Sequence, residues 1–255
     1  MTYCVAINVN DGLVFLSDSR TNAGVDSVST YSKMHRFGTN GERQFVILSA
    51  GNLATTQGVM AQLKRDIHQF SPNNLMTVAH MADAADYLGE VSIAQQEKLT
   101  GGGATYEASF IIGGQIRGSA PSIFLVYPQG NHITTSGNTV YMQIGESKYG
   151  KPVLDRILSP EISLETASLC ALVSMDSTMR SNITVGPPIE LNIYKHDSLA
   201  PGNHYIYEEG SEYLRELKKS WDRNLKDAFN RLPQVAWSTN WDNKANEKTN
   251  DKSGN

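Results

Sequence analysis

The sequence predicts an α+β fold, with two antiparallel sheets and helices outside them in one continuous domain over residues 1–237. Three observations predict it. Strand-forming runs come in hairpin blocks joined by Gly- and Asn-rich turns, and pairs of amphipathic helical stretches separate those blocks. A chain of 255 residues with 40% hydrophobic residues can also bury a sizeable core.

The first hairpin pairs residues 3–9, which alternate, with residues 13–18, around the turn Asn10-Asp11-Gly12. Antiparallel pairing brings its open ends together, so Asp18 falls near Thr2. A polar stretch, residues 21–32, leads to a second hairpin. Lys33 stands at the open end of its first strand, the turn is Gly38-Thr39-Asn40-Gly41, and the return runs over residues 45–50.

Gly51 closes that strand, and periodicity then predicts helices over residues 54–70 and 75–99, the second ended by Gly101-Gly102-Gly103. Strands follow at 108–112, 122–127 and 132–136. The turn Gln143-Ile144-Gly145-Glu146 leads into helices over 147–158 and 164–179. Late strands fall at 188–194 and 205–208, and a helix over 212–229 carries Leu214, Leu217, Trp221, Leu225 and Phe229 in a stripe read as core. Residues 238–255 are polar and nearly free of aliphatics, so they are expected to be disordered.

Composition excludes several functions. A net charge of −4 offers no basic surface to nucleic acid or an anionic membrane, and no run is long and apolar enough to span a bilayer. The start MTYCVAINVN lacks the charged and apolar regions of a signal peptide, so a cytoplasmic location is expected. Cys4 and Cys170 sit in apolar contexts and read as buried thiols. The six His are scattered without ligand spacing, and the Gly101 triplet lacks the strand and helix that a phosphate cradle needs. No cofactor or metal is expected.

Thr2 is the candidate nucleophile. With Met1 removed, one residue carries a hydroxyl and a free α-amine, which titrates near pH 8 (roughly) and can take the hydroxyl's proton. Asp18 and Lys33 are the charged residues that the two hairpins bring toward it.

Together, Thr2, Ser17-Asp18-Ser19-Arg20, Lys33 and Ser49-Ala50-Gly51 resemble the proteasome β-subunit family of N-terminal nucleophile hydrolases. The run from Gln143 through Gly145, Glu146 and Tyr149 to Pro152 resembles its bacterial Anbu branch. That resemblance covers residues 2–229. It implies a four-layer αββα sandwich, a homo-oligomer that closes as a ring or winds as an open spiral, and a peptide or amide substrate. An ATPase or operon-encoded partner is left open. It further implies Thr2 as nucleophile, Asp18 and Lys33 as its supporting pair, Arg20 as a structural partner, and Gly51 as the amide donor to the oxyanion. Asp176 and Ser181 match the family's late Asp and Ser, while Glu146 stands where β-subunits carry Ser. A self-assembling scaffold or peptide-binding chamber with vestigial catalysis is the alternative, motivated by Glu146 and the Asp176 region. Glu146 itself reads as a carboxylate suited to a helix N-terminus.

Overall fold

The computed structural model describes residues 1–22, 28–99, 106–233 and 235. The Gly101 triplet and the tail over 238–255 lie outside the described residues. Two compact units divide the chain, Met1–Leu214 and Arg215–Asn255.

The first unit begins with β1 (Tyr3–Val9) and β2 (Gly12–Asp18), the first expected hairpin, paired from Cys4↔Ser17 to Val9↔Gly12. A two-stranded ribbon follows, β3 (Arg20–Asn22) with β4 (Val28–Thr30), which begins one residue before the polar stretch and runs into it. The second expected hairpin is β5 (Met34–Thr39) with β6 (Arg43–Gly51). Helices α1 (Leu53–His68) and α2 (Met81–Leu99) come next, then β7 (Ala108–Ile116), β8 (Ser122–Val126), β9 (His132–Thr134) and β10 (Tyr141–Gly145). The unit continues through α3 (Lys151–Ile157), α4 (Leu164–Ser181), β11 (Ile189–Lys195) and β12 (Asn203–Tyr207).

Two five-stranded antiparallel sheets result, ordered β10-β1-β2-β11-β12 and β5-β6-β7-β8-β9. Strand β6 shows why each is buried on both faces. Its Phe45 and Ile47 pack with Val59 and Leu63 of α1 and Leu88 of α2, while the alternate residues Val46, Leu48 and Ala50 pack with Cys4, Phe15 and Ile144 of the facing sheet. On the far side of the first sheet, α4 packs on β1, β2 and β11, and α3 packs on α4. The layers are therefore helix, sheet, sheet, helix, the expected sandwich. Gly113 lets the sheets close: a Cβ there would sit 2.7 Å from the Phe15 ring.

Three local expectations change. The second helix starts at Met81 rather than residue 75, because Asn74 Oδ1 accepts the Met76 amide at 2.6 Å and Thr77 Oγ1 accepts the Asn74 amide at 3.0 Å. These side chains satisfy the backbone in a turn and compete with helix. The supposed turn around Gly145 is the end of strand β10, which pairs with β1 from Tyr3↔Gly145 to Ile7↔Tyr141. Finally, no residue of α5 (Glu212–Asn230) is buried, with Leu225 52% and Phe229 72% exposed, so its apolar stripe is not core.

Cys4 and Cys170 are buried free thiols. Among the described residues, no helix is long and apolar enough to cross a membrane.

Candidate active site

Strand β1 lies between β2 and β10, so Thr2, one residue before β1, stands where the ends of three strands meet. Its carbonyl accepts the Glu146 amide at 2.7 Å. The next amide, Tyr3 N, donates to Asp18 Oδ1 at 2.9 Å. Gly145 is required for this approach: its φ is +84°, and a Cβ would fall 2.0 Å from the Thr2 carbonyl oxygen. The Tyr3 ring fixes the other side of β1, its hydroxyl bonding Ser174 of α4 and accepting from Gln143 Nε2 at 3.1 Å.

Lys33 arrives from the other sheet. Its carbonyl accepts the Ser49 amide at 3.0 Å, extending the β5–β6 ladder by one residue. Its Nζ donates to Asp18 Oδ1 at 2.7 Å and to the Arg20 carbonyl at 2.8 Å. Asp18 is wholly buried, and its second oxygen accepts the Gly186 amide at 3.3 Å. Burial pushes the Asp18 carboxyl above its ordinary 3.8, against the pull of the Lys33 ammonium and the Tyr3 and Gly186 amides.

Arg20 ties down the segment after α4. Its Nη1 donates to the Ile183 carbonyl at 2.9 Å, and its amide donates to the Gly186 carbonyl at 3.2 Å. The guanidinium also faces Glu209 at 3.7 Å, a long contact with a largely exposed carboxylate. Gly51 ends β6 with φ +120°, and a Cβ there would meet the Glu107 carbonyl oxygen at 2.4 Å, so only glycine fits. Asn52 then caps α1, its side chain accepting the Thr55 amide at 3.2 Å.

Thr2, Lys33, Arg20 and Gly51 share the wall of one open cleft of about 750 Å³, with Met1 also on its wall. Asp18 stands behind Lys33. Asp176 and Ser181 are not on the wall: Asp176 is buried on α4, and Ser181 is exposed at its end.

Several groups were not found by sequence reasoning. Gly186 supplies an amide to Asp18. Glu190 accepts Ser19 Oγ at 3.2 Å and bonds His204 Nε2 at 3.1 Å, steadying the strand on the far side of Asp18. His35, two residues after Lys33, lines the cleft, and burial, reinforced by the Lys64 charge, pushes its imidazole down to about 4, with Glu190 opposing. Alternation from Lys33 could have flagged His35; nothing local marks the others. Glu146 is no helix terminus, since α3 starts at Lys151. Its carboxylate, 6% exposed, accepts the Lys148 amide at 3.1 Å and Asn182 Nδ2 at 3.3 Å.

Burial pushes the Cys4 thiol up, so it stays protonated. Among the described residues, no group of His, Cys, Asp and Glu side chains could hold a metal ion.

The family model described as proteasome subunit matches residues 2–193. Anbu (ancestral beta-subunit) from Yersinia bercovieri is 45% identical, with 91% of this chain and 99% of that chain covered and a TM-score of 0.88. The Anbu complex from Pseudomonas aeruginosa, a helical assembly, is 44% identical over 91% of this chain and 98% of that one, also at 0.88. An Anbu (Gly-1) mutant from Hyphomicrobium sp. strain MC1 is 40% identical over 92% and 99%, at 0.87. No curated protein matches.

Proposed function

Since the chain belongs to the proteasome subunit family, within its Anbu branch, we propose that it is an N-terminal threonine hydrolase that cleaves peptide or amide bonds. The observation that carries this reading is the shared Asp18 Oδ1, which bonds both the Lys33 ammonium and the amide that follows Thr2.

After Met1 is removed, the Thr2 hydroxyl attacks the substrate carbonyl while the Thr2 amine takes its proton, directly or through a water. The Lys33 ammonium lowers the proton affinity of both groups, and Asp18 keeps that ammonium oriented. The Gly51 amide donates to the oxyanion, a contribution of about 3 kcal/mol in comparable sites. Collapse expels the amine and leaves an ester on Thr2, which water hydrolyses. Arg20 supports the site, and Asp176 and Ser181 act from α4 on the frame around it. Because the Pseudomonas aeruginosa relative is a helical assembly, the chain is proposed to work as a homo-oligomer, in the cytoplasm.

The second reading is a scaffold or peptide-binding chamber with vestigial catalysis. It is favoured by Glu146, which stands where β-subunits carry Ser and whose carboxylate is taken up by the Lys148 amide and Asn182 Nδ2 rather than turned to Thr2. Intact mass and a peptidyl epoxyketone separate the two. Its ketone adds the Thr2 hydroxyl and its epoxide is opened by the Thr2 amine, so a cyclic adduct needs both groups. The hydrolase reading expects protein lacking Met1, an adduct on Thr2, and no adduct in Thr2→Ala. Met1-free protein that forms no adduct is the scaffold.

A further inference from the structure

Among the described residues, the cleft beside Thr2 carries charge of one sign. Among its described lining residues the ionised side chains are Arg20, Lys33 and Lys64, and no carboxylate is present. Lys33 is neutralised by Asp18, and Arg20 is engaged with the Ile183 carbonyl and Glu209. Lys64 is different: it is exposed and makes no hydrogen bond or ion pair among the described residues.

The elements explain its position. On α1, Thr56, Met60 and Lys64 recur every four residues, so one face of the helix forms the cleft wall. His35 lines the same cleft and shares a strand face with Lys33, about 7 Å farther along. Its imidazole is held neutral by burial and by the Lys64 charge, so it can donate or accept a hydrogen bond. A second hollow of about 540 Å³ adjoins the first and shares Ser32, His35 and Lys64 with it. The carboxylate in that second hollow, Glu190, is already bonded to Ser19 and His204. Lys64 and His35 thus stand at the junction of two open hollows, where an extended chain could pass. Lys64 is the lining cation there that no described residue bonds.

We infer that the cleft selects acidic peptides, with Lys64 and His35 binding a substrate carboxylate near the scissile bond; this rests on Thr2 acting as the nucleophile. Neither residue touches the reacting atoms, so both act on specificity.

The test uses Met1-free full-length protein and internally quenched peptides in which a single Glu is moved along the positions on both sides of the scissile bond, each matched by Gln and Lys analogues. At one position or more, the Glu peptide is expected to show kcat/KM about fivefold above its Gln analogue, the scale of one exposed ion pair. Lys64→Glu should reverse the order so that the Lys analogue leads, while thermal stability stays as in the parent. Thr2 labelling with Glu, Gln and Lys peptides cut alike, or with none cut, overturns the carboxylate subsite and leaves the hydrolase standing. Absence of both labelling and cleavage overturns the two together.

Discussion

The Nζ of Lys33 lies 2.7 Å from Oδ1 of Asp18, an ion pair that joins the two sheets at one end of the sandwich. Asp18 closes β2 of one sheet and Lys33 precedes β5 of the other. The pair is therefore both a link in the fold and the electrostatic setting of Thr2.

Asp18→Asn should damage both. The Lys33 side chain is only 9% exposed, and an amide cannot neutralise its ammonium. Leaving one member of a buried pair costs about 3–5 kcal/mol. Chemical denaturation should show a loss of that order, and epoxyketone labelling of Thr2 should fall at least about a hundredfold, because the ammonium is no longer held.

The direction of the Asp18 shift sets a pH dependence. Burial raises its carboxyl above 3.8, so the folded protein keeps that proton to higher pH than the unfolded chain does. The Thr2 amine titrates in any labelling assay, so the shift is read on Asp18 itself: the NMR signal of its carboxyl carbon should titrate with a midpoint above 3.8. A midpoint below 3.8 would contradict the assignment.

Both hairpins around Thr2 were legible because their turns, Asn10-Asp11-Gly12 and Gly38-Thr39-Asn40-Gly41, are local chemistry. The pairing of β1 with β2 then followed, and with it the approach of Asp18 to Thr2. Strand β10 was hidden because its five residues end in Gly145, whose positive φ resembles a turn signal. Gly186 and the Ser19–Glu190–His204 chain were hidden for another reason. They meet through the order β2-β11-β12, a long-range pairing that no local spacing encodes. The stripe on α5 has helical periodicity, but periodicity alone does not tell what covers a face.

Gly145→Ala isolates the positioning of Thr2. The added Cβ would lie 2.0 Å from the Thr2 carbonyl oxygen, which is backbone and cannot swing aside. With φ at +84°, the strained residue costs about 1–3 kcal/mol. Strand β10 should therefore shift and take Thr2 with it. Labelling should drop by about a hundredfold, the penalty for a misplacement of roughly 1 Å, while unfolding remains cooperative. Unchanged labelling would mean that the β10 end does not position Thr2.

Glu146→Ala distinguishes a structural carboxylate from a catalytic one. The carboxylate accepts the Lys148 amide and Asn182 Nδ2, so its removal leaves two donors without their partner. Such orphaning costs about 1–3 kcal/mol in a buried site, and denaturation should report a loss in that range. The bond to the Thr2 carbonyl comes from the Glu146 backbone amide, which alanine keeps. Labelling of Thr2 should consequently fall by much less than the ~10²-fold that marks a lost general acid or base. A loss of that size with stability intact would instead place Glu146 in the chemistry.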